Sequence, residues 1–275
     1  MTITPIGTTV VTTAPVEVTP ELARLWLEFN VNNRNVNPSR VAQIARDMTA
    51  GLWKQNGDSI RFDREGRLID GQHRLLAVIE SGRPLSTFVV RGLEPDAQTT
   101  IDTGQARSAG QQLHLLGFSN STKAASVVVT LWRLIHAADK VWAVSNMPSK
   151  AEQIEFAVGN RGTITKAVDY GSEAWRELRA KISAYGAAAA FIELSGRAEE
   201  FSDFHTTLVR GTNLAAGDPR LEYRNRLVKS KSIKSAWDTQ AWAAMTVKAF
   251  NAYVTGKDIK TLRFTRDHLP MPSVA

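Results

Sequence analysis

Five consecutive residues, Asp70-Gly71-Gln72-His73-Arg74, place a carboxylate, a glycine, an imidazole and a guanidinium side by side. They stand where an apolar strand pattern gives way to a helical one. The start of a helix exposes unpaired backbone N–H groups and a partial positive charge, which favours anions. Two cationic side chains are unfavourable there unless an anion compensates. The run therefore predicts a phosphate site, with Gly71 allowing close approach and Arg74 forking onto phosphate oxygens.

Each of these residues also has a purely structural interpretation. Asp70 can cap the helix or tie the turn, and the alternative is a carboxylate that holds Mg²⁺ or orients a nucleophile. His73 can be a partly buried histidine bonded to the backbone. Arg74 can form a surface salt bridge, and Gly71 can serve only the turn.

The surrounding pattern predicts the elements that must position this run. Residues 59–62 read as a strand, 63–66 as a turn and 67–70 as the returning strand. A helix over 72–80 and a strand over 85–90 follow, and a short strand is expected at 99–101. Two earlier helices start at Pro20 and near Pro38, where proline suits the first turn. Residues 16–110 therefore form an α+β domain with a small mixed sheet, after a flexible arm over residues 1–15.

The remainder of the chain, residues 111–275, has a different character. Its apolar residues recur at helical spacing, which predicts an all-helical domain. The expected helices cover about 108–116, 122–138, 149–158, 173–194, 219–229 and 234–255. A strand is expected only near 261–264.

Composition limits the class of protein. The 275 residues include no cysteine, which excludes disulfides, thiolate metal sites and a cysteine nucleophile and favours a cytoplasmic protein. No apolar stretch approaches the ~20 residues of a membrane span, so we expect no membrane partner. No paired-histidine or P-loop motif appears, so no dedicated metal site is predicted.

The net charge is +7, and its distribution is uneven. Residues 1–110 contain 12 basic and 12 acidic residues, which leaves 22 and 15 for residues 111–275. The basic excess in the second half favours a polyanionic partner such as DNA.

The Asp70–Arg74 run, set between the predicted hairpin and helix, resembles the DGQHR signature of proteins in the ParB/sulfiredoxin superfamily. The upstream order of Asn33-Arg34, Val41 and residues 48–53 is similar to that of ParB-like proteins of the bacteriophage type. The resemblance covers residues 16–107, about a third of the chain. It implies a ParB/sulfiredoxin-like fold that binds a nucleotide, with the backbone and side chains of residues 71–74 facing phosphate.

Two departures narrow what the resemblance implies. Gln72 stands where sulfiredoxins have their cysteine, which excludes sulfinic-acid repair. Chromosome-partitioning ParB proteins have Glu-Arg-Arg where this chain has Gln72-His73-Arg74, so clamp-type CTP hydrolysis is not expected. No helix-turn-helix is recognisable in the second half.

Further residues are candidates for the same chemistry. Asn33 and Arg34 resemble an Asn/Arg pair that lies beside the phosphates in ParB-like folds, although a turn asparagine and a surface arginine explain them equally. Asp102 and Arg107 belong to a second run in which an acid, a glycine and a base follow the end of a predicted strand. They are a second candidate carboxylate and phosphate contact, and the alternative is a turn before a helix.

A basic stripe in the second half is the candidate nucleic-acid contact. Residues 210–235 contain seven basic and two acidic residues, with Tyr223 among them. A basic helix carrying an aromatic ring can lie along a nucleic-acid backbone, and the alternative is a solvated helix face. The residues proposed to contact nucleic acid are Arg220, Arg224, Arg226, Lys229 and Lys231.

Together these features predict a nucleotide-binding, DNA-associated protein. A nucleoside triphosphate (ATP or CTP) with Mg²⁺ would lie on residues 71–74, neutralised by His73 and Arg74. Asp70, His73 and Asp102 are the catalytic candidates for phosphate hydrolysis or transfer. The alternatives are a non-catalytic DNA-binding or regulatory module, and a kinase or transferase acting on a small molecule or a modified base. Homodimerisation is left open.

Overall fold

A computed structural model describes residues 11–31, 33, 35–101, 107–136, 147–229, 238–262 and 273–275. The chain separates into two compact units, Met1–Ala106 and Arg107–Ala275. The division lies four residues before the expected boundary. Asp102, Arg34 and Lys231, three of the candidate site residues, lie outside the described residues, as does the second half of the strand expected near 261–264.

The N-terminal unit is α+β, as expected. Its elements are β1 (Thr12–Val18), α1 (Pro20–Leu27), α2 (Pro38–Thr49), β2 (Ser59–Asp63), β3 (Leu68–Asp70), α3 (Gln72–Ser81), β4 (Leu85–Leu93) and a 3₁₀ helix (Pro95–Thr100). The four strands form one mixed sheet in the order β1-β4-β2-β3. β4 runs parallel to β2 and antiparallel to β1, and β2 pairs with β3 as a hairpin.

Local signals explain the first two helices. The Thr19 hydroxyl accepts a hydrogen bond from the Leu22 N–H (3.3 Å), and the Asn37 side chain accepts one from the Arg40 N–H (3.2 Å). Each helix then begins with proline, which has no N–H to leave unsatisfied. The buried faces of α1, α2 and α3 close over the sheet in one apolar core that includes Trp26, Ile60 and Phe62.

Two expectations for this unit are wrong. Residues 12–15, assigned to a flexible arm, form part of β1 and pair with β4 from Thr12 opposite Arg91 onward. Their side chains are exposed, so the strand shows no apolar alternation and is held mainly through its backbone at the sheet edge, where Pro15 is tolerated. Residues 99 and 100, expected in a strand, belong to the 3₁₀ helix.

The C-terminal unit is helical over the residues described. Its helices are α4 (Ala109–Leu115), α5 (Ser121–Ile135), α6 (Lys150–Gly159), α7 (Arg161–Leu178), α8 (Ile182–Leu194), α9 (Ala198–Arg210), α10 (Pro219–Lys229) and α11 (Asp238–Val254). No helix in the described ranges is both long and apolar enough to cross a membrane.

The expected helix over 173–194 is in fact two helices. The chain turns at Arg179, which adopts a left-handed conformation (φ 61°), so α7 ends and α8 begins three residues later. The two helices pack through glycines. A Cβ on Gly186 would lie 2.6 Å from the Ala167 carbonyl oxygen, and one on Gly171 would lie 2.8 Å from that of Ile182. Small residues at these positions let the two backbones approach.

The helical core contains a buried polar chain. The Tyr185 hydroxyl lies 2.9 Å from His205 Nδ1, and His205 Nε2 lies 3.1 Å from Glu173 Oε2. Burial lowers the pKa of His205, and the hydrogen bond and charge of Glu173 oppose that shift only in part. Burial also raises the pKa of Tyr185 well above its ordinary value. His205 is therefore a neutral imidazole that links a buried phenol to a half-exposed carboxylate.

Candidate functional site

The Asp70–Arg74 run lies where β3 passes into α3, as the sequence predicts. Gly71 occupies the N-cap position with φ 111° and offers no side-chain cap, and the first turn of α3 contains no acidic residue. The positive end of the α3 dipole is therefore not offset from within the helix. We call the surroundings of this turn the β3–α3 junction, defined by Asp58, Ser59, Arg61, Asp70, Gly71 and Arg74.

The reason for a glycine at position 71 differs from the expected one. A Cβ there would lie 2.4 Å from the Cδ1 atom of Ile60, a fully buried core residue. The positive φ also disfavours any residue with a side chain. Gly71 is thus required by the backbone conformation and by the core, because Ile60 fills the space that a Cβ would occupy.

Arg74 turns back along β2 and β3. Its Nη2 atom donates to the Asp70 carboxylate (2.9 Å) and to the Ser59 carbonyl oxygen (2.9 Å). The side chain is only 11% exposed. Its Nη1 atom is buried and has no hydrogen-bond acceptor among the residues that the structure describes. One face of a buried guanidinium therefore keeps unused donor capacity, which is costly for so polar a group.

A second guanidinium shares the same carboxylate. The hairpin register places Arg61 directly opposite Asp70, and its Nη1 atom lies 3.3 Å from Asp70 Oδ2. Two cations thus meet one carboxylate, which leaves one positive charge in excess among these three side chains. The structural alternative for Arg74, a salt bridge, fits this pair with Asp70, although the pair is largely buried rather than on the surface.

Asp58 is the nearest further acid. Its Oδ2 atom lies 3.9 Å from Arg74 Nη1, beyond hydrogen-bond distance, and the Asp58 side chain is 60% exposed. The Asn56 side chain holds it through hydrogen bonds to the Asp58 carboxylate (3.2 Å) and N–H (3.0 Å). The Thr87 hydroxyl donates to its carbonyl oxygen (2.8 Å). The sequence analysis missed both Asp58 and Arg61, although the register of the predicted hairpin could have placed Arg61 opposite Asp70.

His73 points away from Arg74. Its Nε2 atom accepts a hydrogen bond from the Asn37 backbone N–H (3.0 Å), and the residue is 9% exposed. An acceptor nitrogen has no proton, so this bond favours the neutral ring. The alternative of a buried histidine bonded to the backbone therefore fits better than a cation that neutralises phosphate.

Asn33 and Gln72 join the same polar network. The Asn33 amide donates to Asn30 and to the Leu68 carbonyl oxygen (2.7 Å), and the Gln72 oxygen accepts from Asn30 (3.0 Å). These bonds fasten the asparagine-rich segment to β3 and to the start of α3. The structure thus brings Asn33, Gln72 and His73 together on the side of α3 that faces this segment.

Arg107 belongs to the C-terminal unit. It is exposed at the beginning of that unit, where its carbonyl oxygen accepts a hydrogen bond from Lys150 (2.9 Å). Its role as a second phosphate contact stays a prediction. Among the described residues, no group of three or more histidine or acidic side chains is arranged to hold a metal.

Two of the four described candidates in the basic stripe, Arg220 and Arg224, are engaged within the protein. Arg220 forms a two-pronged ion pair with Asp218 (3.0 and 2.8 Å). The Nη1 atom of Arg224 donates to the Leu208 and Val209 carbonyl oxygens (2.7 and 2.8 Å), the unpaired acceptors at the end of α9. Of the described candidates in the stripe, only two are exposed, Arg226 and Lys229.

The aromatic ring of that stripe is also unavailable for base stacking. Tyr223 is 1% exposed, and its hydroxyl lies 2.6 Å from the Thr246 hydroxyl. The stripe therefore acts chiefly as a structural seam between α9, α10 and α11. The alternative of a solvated helix face fits only its exposed residues.

Comparison with protein-family models, with curated proteins and with solved structures finds no match for this chain. The contacts described above are therefore the basis for assigning a function.

Proposed function

We propose that the N-terminal unit is a binding module for a phosphate group carried by a nucleotide or a nucleic acid. The observation that carries this proposal is the Nη1 atom of Arg74, a buried guanidinium donor without an acceptor at the start of α3. Arg61 adds a second guanidinium, which shares the Asp70 carboxylate with Arg74. Guanidinium groups and a helix N-terminus are the donors that proteins use for phosphate.

The same contacts favour binding over catalysis. A carboxylate that already accepts from two guanidinium groups is a poor ligand for Mg²⁺, because both cations compete for its lone pairs. His73 uses Nε2 to accept a backbone hydrogen bond, so that nitrogen is not available to take a proton from a nucleophile. We therefore favour a non-catalytic module over the proposed NTPase or phosphotransferase.

Asp58 lies beside the unsatisfied donor. Its Oδ2 atom is 3.9 Å from Arg74 Nη1, and the residue belongs to the segment before β2 that lacks regular structure. A phosphate oxygen that reaches Nη1 beside this exposed carboxylate gains a charge-assisted hydrogen bond.

The test compares two arginines of the same unit. Arg61→Gln removes one guanidinium of the junction, whereas Arg64→Gln removes an exposed arginine that pairs with Glu94 beyond the far end of β2. Binding of a fluorescent single-stranded oligonucleotide is measured by anisotropy, and binding of ATP and CTP by calorimetry. We expect Arg61→Gln to weaken binding roughly tenfold, the equivalent of one charge-assisted hydrogen bond.

Arg64→Gln should leave the affinities unchanged. Circular dichroism confirms that both variants are folded. Equal affinities for the two variants, or the absence of binding to all three probes, would refute the assignment.

A further inference from the structure

We infer that the β3–α3 junction recognises the phosphodiester of a nucleic-acid strand rather than a nucleoside triphosphate, and that Asp58 sets this preference. The inference rests on the proposed function and names the ligand class for the same site. It depends on the count of charges around Arg74 and on the position of one exposed carboxylate.

The charges that surround the free donor are balanced. Arg61 and Arg74 supply two positive charges, while Asp70 and Asp58 supply two negative ones, all within contact distance of a guanidinium. The site therefore offers a directed donor without a surplus of positive charge once Asp58 is included. The P-loop and similar sites bind polyphosphates differently, through several amides and a lysine.

The ligand classes differ in charge. Each phosphodiester of a nucleic-acid strand carries one negative charge. A terminal phosphate carries about −1.5 to −2 near neutral pH, and a triphosphate carries more. A ligand oxygen that accepts from Arg74 Nη1 lies beside the Asp58 carboxylate, because the carboxylate is 3.9 Å from the same nitrogen. For like charges about 4–5 Å apart in water, the repulsion weakens binding roughly fivefold for each charge. Asp58 therefore penalises a triphosphate more than a diester.

The position of Asp58 is fixed by the fold. Asn56 holds its carboxylate and N–H, and Thr87 of β4 holds its carbonyl oxygen. The carboxylate thus stays beside Arg74 although 60% of the side chain is exposed. An exposed acid held at a guanidinium without forming a hydrogen bond to it contributes little to stability, which suits a role in selecting the ligand.

The experiment uses the full chain, an oligonucleotide without terminal phosphates, and ATP in the presence of EDTA. Asp58→Asn keeps the size and the polar contacts of the side chain while it removes the charge. The control is Glu94→Gln, the same charge change beyond the opposite end of β2. Glu94 lies seven residues after Thr87, which contacts Asp58, so the separation is about 23 Å at 3.3 Å per strand residue. Affinities are measured for the wild type and both variants.

We expect the wild type to bind the oligonucleotide more tightly than ATP. Asp58→Asn should raise the affinity for the oligonucleotide about fivefold. It should raise the affinity for ATP about 25-fold, because the terminal phosphate carries up to one more negative charge. Glu94→Gln should change neither. If the wild type binds ATP as tightly as the oligonucleotide, or if Asp58→Asn shifts both equally, the ligand assignment is wrong while the phosphate site stands. If neither probe binds the wild type or Asp58→Asn, the proposed function itself fails.

Discussion

Replacement of Gly71 by alanine separates the structural reason for this glycine from the expected functional one. The φ of 111° is unfavourable for a residue with a Cβ, by about 1–2 kcal/mol. The new Cβ would also lie 2.4 Å from Ile60 Cδ1 in a filled core, and such overpacking costs about 1–3 kcal/mol. We therefore expect Gly71→Ala to lower the free energy of unfolding by about 2–5 kcal/mol without any ligand present.

The cost of the contact between the new Cβ and Ile60 can be removed by a second substitution, at residue 60. Ile60→Val deletes Cδ1 and alone costs about 0.5–1.5 kcal/mol. In the double variant the alanine meets ordinary contacts, because the next Ile60 atoms lie 3.4 and 3.5 Å away. The double variant should then be at least about 1 kcal/mol more stable than the sum of the two single effects predicts.

The assay is urea-dependent amide exchange, read by mass spectrometry on peptides from β2 and β4. This readout reports on the N-terminal unit alone, which matters because the chain has two compact units. If the two substitutions are additive within about 0.3 kcal/mol, the contact with Ile60 is not the reason for the glycine. A variant that loses ligand binding at unchanged stability would instead support the phosphate-approach hypothesis.

Three further predictions follow from the structure. Gly186→Ala should destabilise the helical unit by about 1–3 kcal/mol, because its Cβ meets the Ala167 carbonyl oxygen, and chemical denaturation measures the loss. Burial lowers the pKa of His205, so the free energy of unfolding should fall as the pH drops below about 6.5. In a pH series, His205→Gln should show a smaller fall. Burial alone would raise the pKa of Asp63, but hydrogen bonds from Arg67 outweigh this effect and the pKa is lowered. The ionised carboxylate therefore stabilises the wild type above about pH 4, and this stabilisation is lost in stronger acid. Asp63→Asn should remove it, which thermal melts over a pH series measure.

Sequence reasoning succeeded where a local signal fixes the structure. A capping side chain followed by proline predicts the start of α1 at Thr19-Pro20 and of α2 at Asn37-Pro38, and the structure contains both caps. The alternation around residues 59–70 placed the hairpin, and the run at 70–74 fell at the turn into α3. Short-range patterns of this kind need no tertiary information.

Sequence reasoning failed where the structure is determined by contacts between residues that are far apart in the chain. The first four residues of the edge strand β1 have exposed side chains, so their pairing with β4 rather than an apolar pattern defines that part of the strand. The turn between α7 and α8 depends on Arg179 in a left-handed conformation, which no glycine or proline signals. Arg224 was predicted to contact nucleic acid, but it caps carbonyl groups of α9 that lie 15 and 16 residues earlier in the chain.

The candidate site also combines features that the sequence predicts with features that it does not. The position of the β3–α3 junction followed from sequence, but the partners of its side chains did not. His73 and Arg74 are neighbours in sequence, yet one meets the Asn37 backbone and the other meets Asp70 and Ser59. Adjacent residues at a helix start point in different directions, so their shared role as phosphate ligands could not be decided from spacing.

The most direct test of the account follows the guanidinium of Arg74 itself. In protein labelled with ¹⁵N only at arginine, the side-chain signals of Arg74, Arg61 and Arg64 are monitored while an unphosphorylated single-stranded oligonucleotide is added. The account predicts a saturable shift of the Arg74 and Arg61 signals, larger in Asp58→Asn, with Arg64 unchanged. Saturable binding that leaves the Arg74 signals in place would contradict it, because the ligand would then be bound elsewhere.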